Sequence, residues 1–107
     1  MSVYEKRTYS ITVGRMADVL QLYTEQGWPA LEAGGFSEKL VGYFVSDTGP
    51  LHQLIHIWRF DDDNDRRGFW KRLFADEKFM QFAPNIRPLI KKQEIQLMLS
   101  APWGPKP

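Results

Sequence analysis

The sequence contains no cysteine and only two histidines among its 107 residues. The absence of cysteine excludes disulfide bonds, thiolate nucleophiles, iron–sulfur clusters and cysteine-type zinc sites. No apolar run approaches the roughly 18 residues that a membrane-spanning helix needs. Charge of one sign is not in excess, because the net charge is +1. We therefore expect no membrane insertion, no nucleic-acid partner and no metal or other cofactor.

The composition is that of an ordinary folded protein, with 43% hydrophobic and 25% charged residues. Aromatic side chains are abundant, with four Trp, four Tyr and seven Phe. A chain of this length fits one domain, since domains run to roughly 100–200 residues. We assign the domain to residues 1–100 and a proline-rich tail to residues 101–107. The first residues lack the pattern of a signal peptide, which predicts a cytoplasmic location.

Hydrophobic periodicity predicts four strands and two helices in the order βαββαβ. Alternating side chains indicate the strands, and the i, i+3, i+4, i+7 stripe indicates the helices. Gly27 and Pro29 interrupt the first helix, so we expect a kink or a stop there, with a short second turn opening at Pro29. The predicted strands cover residues 3–12, 39–45, 51–60 and 89–99, and the predicted helical regions cover residues 15–35 and 66–84.

This order predicts an α+β, ferredoxin-like fold, in which an antiparallel four-stranded sheet carries two helices on one face. The third strand is apolar on both faces, with His52, Leu54, His56, Trp58 and Phe60 on one side. A strand that is apolar on both faces is usually covered on both faces. We therefore expect a second copy to pack sheet to sheet against the first, which makes a homodimer.

The acidic run at residues 61–65 immediately precedes the second helix. Carboxylates at a helix N-terminus accept hydrogen bonds from free backbone N–H groups and oppose the helix dipole. The run lacks the glycine and the distal glutamate of a calcium loop. Helix capping is therefore the favoured interpretation, and a cation site is the alternative.

His56 is the candidate for chemistry. It lies in the middle of a strand, two residues from Trp58, and about 13 Å from His52 at 3.3 Å per residue, so the two histidines do not chelate one metal. A buried histidine needs partners for its ring nitrogens. One hypothesis is a structural histidine bonded within the core. The other is an acid/base or hydrogen-bond donor in a pocket.

Glu5, Arg7 and Tyr9 form a polar stripe on one face of the first strand. Charges on a covered sheet are costly unless they are paired. The stripe therefore predicts either a structural ion pair, within the stripe or with Glu94, or a wet cavity between sheet and helices. Aromatic residues including Tyr43 and Trp58 line such a cavity in one interpretation and form plain core in the other.

The assembled motifs resemble the NIPSNAP family. They are Tyr-Glu-Lys-Arg-Thr-Tyr at residues 4–9, Leu-Val-Gly-Tyr-Phe at residues 40–44, and the block Gly-x-Leu-x-Gln-x-x-His-x-Trp at residues 49–58. Arg-Pro-Leu-Ile at residues 87–90 adds to the likeness. The resemblance implies membership of the dimeric α+β barrel superfamily, in which two ferredoxin-like units pair their sheets. Sister families include cofactor-free monooxygenases and small isomerases, whose sites lie between sheet and helices.

Two hypotheses follow for function. In the first, the domain binds a small aromatic or anionic molecule, with oxygenase- or isomerase-type chemistry as a further expectation. His56 is then the acid/base, Arg7 holds an anionic group, and Trp58 and Tyr43 stack on the ligand. The predicted binding residues are Arg7, Tyr9, Tyr43, Gln53 and Trp58. In the second hypothesis, the domain is a non-enzymatic, dimeric interaction module.

Overall fold

The computed structural model describes residues 1–107 and confirms the α+β fold with one four-stranded antiparallel sheet. The strands follow the sheet order β2-β3-β1-β4. The helices lie on one face of this sheet. The strands are β1 Val3–Ile11, β2 Leu40–Val45, β3 Gln53–Phe60 and β4 Ile90–Leu99, and the α-helices are α1 Met16–Leu22, α2 Trp28–Ala33, α3 Asp63–Ala75 and α4 Glu77–Ile86.

The inner face of the sheet is set by the alternation of β1 and β3. These strands are antiparallel neighbours, and Arg7 lies directly opposite His56 while Glu5 lies opposite Trp58. Residues that face each other across a ladder project to the same side. The alternation predicted for β3 is confirmed, since Leu54, His56, Trp58 and Phe60 are all buried.

Two local predictions about β2 and β3 are wrong. His52 has a φ of 60° and precedes the strand, so it is a turn residue and does not extend the inner row. A left-handed residue cannot continue a pleated strand. In β2, the register shifts between Leu40 and Gly42. This bulge brings Leu40 to the same side as Tyr43, against the strict alternation expected of the strand.

The first helical region is continuous but changes its winding. Residues Tyr23–Gly27 form a π-helical turn between α1 and α2, in which the Trp28 N–H donates to the Tyr23 carbonyl oxygen. Pro29 has no N–H, and its ring would collide with the carbonyl group four residues earlier in a regular α-helix. The wider turn relieves this collision. The predicted interruption at Gly27 and Pro29 is a π turn, after which α2 begins at Trp28 with Pro29 in its first turn.

The last two helices pack their aromatic faces on the sheet. Asp62 caps α3 by accepting from the Asp65 N–H at 2.7 Å, and Asp76 caps α4 in the same way. Capping is thus the role that the acidic run plays. The prediction that Pro84 ends the helix is wrong, because α4 continues to Ile86. Burial of Phe82, Ala83 and Ile86 outweighs the backbone hydrogen bond lost at the proline.

Two surfaces remain uncovered in the single chain. Phe44 is half exposed on the sheet face that is turned away from the helices, where Ile55 and Ile57 are its neighbours. The edge strand β4 is exposed on the helix side, where Ile95 and Leu97 reach past the helix layer. No helix of the structure combines the length and the hydropathy needed to cross a bilayer.

Residues 101–107 carry no regular secondary structure. The tail nevertheless returns to the sheet, because the Tyr4 hydroxyl group donates to the Pro107 carbonyl oxygen at 2.7 Å. The division into a domain of residues 1–100 and a tail stays a prediction.

The π turn depends on a glycine, which gives a stability test. A Cβ atom at Gly27 would lie 2.8 Å from Phe82 Cζ. Overpacking of this kind typically costs about 1–3 kcal/mol, so we expect Gly27→Ala to lower the free energy of unfolding by that amount. The matched control is Gly68→Ala in α3, where only the flexible Arg72 side chain is near. It should stabilise or leave the protein unchanged in urea titrations, and an equal loss in both variants would contradict the packing argument.

Candidate functional site

The sheet register brings together most of the residues predicted for the site. Tyr43, His56 and Arg7 form one row across β2, β3 and β1 on the helix side. Trp58 lies in the next row, opposite Glu5. Tyr9 lies on the other side of the first row, and its ring meets the His56 ring edge-on at 4.7 Å. Five predicted residues therefore form one cluster beneath the helices.

A buried carboxylate organises the charged half of this cluster. Glu5 is fully buried, and its Oε2 accepts from Arg7 Nε at 2.5 Å. Its Oε1 accepts from Arg66 Nη1 at 2.9 Å and from Trp70 Nε1 at 3.1 Å. These bonds satisfy both carboxylate oxygens, as a buried charge requires. The prediction of an ion pair within the stripe agrees with this geometry.

Arg7 is held in place by its neighbours, but some of its hydrogen-bond donors have no partner. Its guanidinium carbon lies 3.7 Å from the centroid of the Trp70 ring, in a cation–π contact. Its only hydrogen bond runs from Nε to Glu5, so the two terminal nitrogens keep their N–H donors. The single carboxylate of Glu5 also serves Arg66. Arg7 is therefore a preorganised guanidinium without a full counter-charge.

His56 is enclosed by aromatic rings and is 2% exposed. Tyr43 stacks on it at 4.6 Å, and the Trp58 indole Nε1–H donates to His56 Nδ1 at 2.7 Å. An indole is a donor only, so Nδ1 is the acceptor and Nε2 carries the proton of the neutral ring. Nε2 has no hydrogen-bond partner. Burial, followed by the positive charge of Arg7, lowers the pKa of His56 to about 3.

Tyrosine hydroxyl groups complete the cluster. Tyr23, from the π turn, lies 5.3 Å from Tyr43 between ring centroids. Burial raises the pKa of both phenols, and the Tyr9 hydroxyl group raises them further, while the Arg7 charge acts in the opposite direction. The phenols are therefore neutral across the physiological range.

Two cavities adjoin the cluster. The first, which we call the Arg7 cleft, measures about 90 Å³. It is lined by an aromatic and aliphatic wall from α3, α4 and the start of β4, and by Arg7, Tyr9, Tyr23, Arg87 and Gln93. The second, which we call the apolar cavity, measures about 270 Å³, and six of its seven lining residues are hydrophobic. His56 lines neither cavity. The apolar cavity is lined by Leu20, Tyr23, Thr24, Trp28, Tyr43, Val45 and Leu54.

Two predicted site residues lie elsewhere. Gln53 alternates with Leu54 and faces the opposite side of the sheet, where it lines a polar surface cleft with Lys6 and Thr8. Glu94 lies opposite Thr8 on that same side and pairs with Lys92 at 3.5 Å. Glu94 therefore does not join the Glu5 ion pair. Its neighbours Gln93 and Ile95 lie opposite Tyr9 and Arg7 on the helix side, so alternation turns Glu94 to the other side.

Sequence reasoning did not assign a site role to Tyr23, and it did not place Arg66 or Trp70 beside Glu5. Tyr23 belongs to the apolar stripe of the first helix, and such stripes usually form core. Its signal was the Gly27-Trp28-Pro29 interruption, because π turns are frequent at functional sites. The contacts of Arg66 and Trp70 with Glu5 span more than 60 residues of sequence, and no local pattern indicates them.

Comparisons with known proteins agree with this architecture. A family model described as NIPSNAP matches residues 4–105. The chain is similar to a solved NIPSNAP family protein of unknown function from Agrobacterium tumefaciens, with 35% identity, a TM-score of 0.89, and coverage of 97% of this chain and 92% of the other. A solved antibiotic biosynthesis monooxygenase has 18% identity and a TM-score of 0.62, with coverage of 94% of this chain and 99% of the other. That likeness shows the fold alone.

The chain also matches part of a human protein. It is 28% identical to Protein NipSnap homolog 3A from Homo sapiens over 103 residues, which are 94% of this chain. The chain spans about 40% of the length of this curated relative.

The enclosed His56 generates a pH prediction. Histidine has an ordinary pKa of 6.5, and the folded value is about 3. Below pH 6.5 the unfolded chain therefore binds a proton that the folded chain does not. The contribution of neutral His56 to the free energy of unfolding is complete above pH 6.5. It is lost, at up to about 1.4 kcal/mol per pH unit, as the pH falls towards 3.

We expect His56→Gln to reduce the loss of stability between pH 7 and pH 5 by about 2 kcal/mol relative to the unsubstituted protein. The Gln side chain keeps an acceptor for the Trp58 indole. Urea titrations at the two pH values measure the difference. His52→Gln is the matched control and should keep the original loss. An unchanged loss in His56→Gln would mean that another group causes the acid sensitivity.

Proposed function

This chain belongs to the NIPSNAP family, and we propose that it binds a small anionic molecule through Arg7, with the apolar part of the ligand against the aromatic wall of the Arg7 cleft. The observation that carries the proposal is the state of Arg7. It is a buried guanidinium with free terminal N–H donors at the base of an apolar-walled cleft. A guanidinium fork matches the two oxygens of a carboxylate.

The surroundings of Arg7 support an anion in two ways. Glu5 and Trp70 fix the guanidinium from one edge and one face, so little side-chain entropy is lost when a ligand binds. The charges nearby favour a negative guest, because Glu5 serves two arginines and the Asp63 carboxylate is shared between Arg66 and Arg67. The cleft thus has a positive charge at its floor and apolar side chains in its walls, which strengthens the attraction for an anion.

The wall of the cleft supports a hydrophobic or aromatic body on the ligand. Phe74, Phe79, Phe82, Ile86 and Ile90 contribute to it. Tyr9, Arg87 and Gln93 add polar groups to the same cleft. A few convergent polar groups in an otherwise apolar pocket are the common composition of small-molecule sites.

The contacts of His56 leave it one group that can meet a ligand. A neutral ring with a pKa of about 3 is a poor general acid at neutral pH, and Nδ1 is already bonded to Trp58. The remaining group is the Nε2–H, which can donate to an oxygen that reaches it. Cofactor-free oxygenase or isomerase chemistry, with His56 as its acid/base, stays a prediction. Binding of a small anion at Arg7 is the part of the function that the cleft supports.

The test uses phenylacetate as the probe, with isothermal titration calorimetry as the measurement. We expect Arg7→Lys to weaken binding by about 10- to 100-fold, because a lysine keeps the charge beside Glu5 but loses the fork. Keeping the charge also avoids leaving a buried carboxylate unpaired. Arg15→Lys, at an exposed pair with Asp18, is the matched control and should bind as before.

Neutral phenylacetamide separates charge from shape and should bind at least tenfold more weakly than phenylacetate. If Arg7→Lys and the unsubstituted protein bind phenylacetate equally, Arg7 is not the anion site. If phenylacetate does not bind at all, the alternative of a non-enzymatic, dimeric interaction module becomes the better account of this domain.

We propose in addition that a second copy of the chain covers the sheet face opposite the helices. Phe44 is 52% exposed there, beside the partly buried Ile55 and Ile57. Apolar side chains on neighbouring strands form a continuous patch, which favours a partner surface of the same composition. We also propose a cytoplasmic location for the chain.

Native mass spectrometry tests the pairing, and we expect the mass of two chains. Ile57→Lys places a charge in the proposed interface and should shift the population to single chains. Ile95→Lys, on the helix side of the edge strand, is the matched control and should leave the dimer intact. A single-chain mass for the unsubstituted protein at micromolar concentration would rule the pairing out.

A further inference from the structure

Tyr23 separates the two cavities beside the candidate site. It lines both the Arg7 cleft and the apolar cavity, and no other residue lines both. The apolar cavity is three times as large as the cleft. The space on one side of the Tyr23 ring therefore suits an anionic group, and the larger space on the other side suits an apolar chain.

The Tyr23 ring is a fixed wall. It packs against Phe82 at 4.9 Å and against Tyr43 at 5.3 Å between ring centroids. Gly27, which ends the π turn, has no Cβ, and an added Cβ would lie 2.9 Å from Tyr23 Cδ1. The turn and its glycine thus hold the ring between its two aromatic neighbours. Interiors packed in this way leave little room for a side chain to swing aside.

We propose that Tyr23 is a specificity-determining residue that limits the length of the ligand. An anion bound at Arg7 can carry a short apolar body within the cleft, but a longer chain meets the Tyr23 ring before it reaches the apolar cavity. Removing the ring joins the two spaces. This inference rests on the proposed function, since it requires an anionic group on Arg7.

The experiment compares phenylacetate with 6-phenylhexanoate by isothermal titration calorimetry. In the unsubstituted protein, we expect the longer carboxylate to bind no more than threefold more tightly than the shorter one. In Tyr23→Ala, the longer one should gain at least tenfold over phenylacetate, because each newly buried CH₂ group contributes about fourfold. The affinity for phenylacetate in each variant serves as the reference for the longer carboxylate, because Tyr23 also lines the Arg7 cleft.

Two variants are matched controls. Tyr23→Phe keeps the ring and should keep the original length profile. Leu20 lines the apolar cavity and not the Arg7 cleft, so Leu20→Ala enlarges that cavity without opening the wall. This variant should also keep the original dependence of affinity on ligand length. Circular dichroism checks that each variant is folded. If Tyr23→Ala does not fold, Tyr23→Leu carries the same test with a smaller change in volume.

The outcomes distinguish this inference from the one it rests on. If Tyr23→Ala binds phenylacetate in an Arg7-dependent manner but keeps the original length profile, Tyr23 is not the limiting wall and the anion site stands. If the unsubstituted protein already prefers 6-phenylhexanoate by tenfold, the wall does not exist in solution. If neither carboxylate binds either protein, the anion site and the length limit are both wrong.

Discussion

The buried carboxylate of Glu5 is the constraint on which the rest of the structure depends. A fully buried charge is tolerated only when its oxygens are satisfied, and here one group from β1 and two from α3 satisfy them. The central strand and the longest helix are therefore fixed to each other by a polar contact inside an aromatic core. Trp58, the residue opposite Glu5 on β3, packs on Trp70 at 5.5 Å, so an apolar contact fixes the neighbouring strand to the same helix.

This arrangement explains why the cluster is rigid and yet incompletely satisfied. Glu5 binds Arg7 through Nε, the nitrogen nearest the stem of the side chain, which leaves the far end of the guanidinium directed away from its own counter-ion. His56 shows the same pattern, with one nitrogen bonded to Trp58 and the other without a partner. Each residue is positioned by some of its polar groups and keeps the others unbonded, buried at His56 Nε2 and in the lining of the cleft at Arg7. Such leftover capacity is rare in a purely structural core.

The sequence predicted the fold and most of the cluster because both follow from short periods. The strand period of two residues placed Glu5 and Arg7 on one face of β1. It also placed His56 with the other inner residues of β3. The sequence did not show which distant residues meet these strands. It therefore predicted Glu94 as a partner of Glu5, whereas in the structure Arg66, 61 residues away, binds Glu5. The place of Tyr23 in the site could not be predicted for another reason. A helical stripe identifies the buried side of a helix, but a π turn changes which residues that side contains.

The order of strands in the sheet has a consequence for synthesis of the chain. The sheet runs β2-β3-β1-β4, so the strand that is translated first ends in the centre and the strand that is translated last lies beside it. While residues 90–99 are still within the ribosome, β1 has one open backbone edge, and Glu5 lacks its partners until α3 has emerged. Contacts between such distant segments close slowly. The sheet is therefore complete only once residues 90–99 are free to pair, and a nascent chain stalled before β4 would present an open edge of β1 to chaperones.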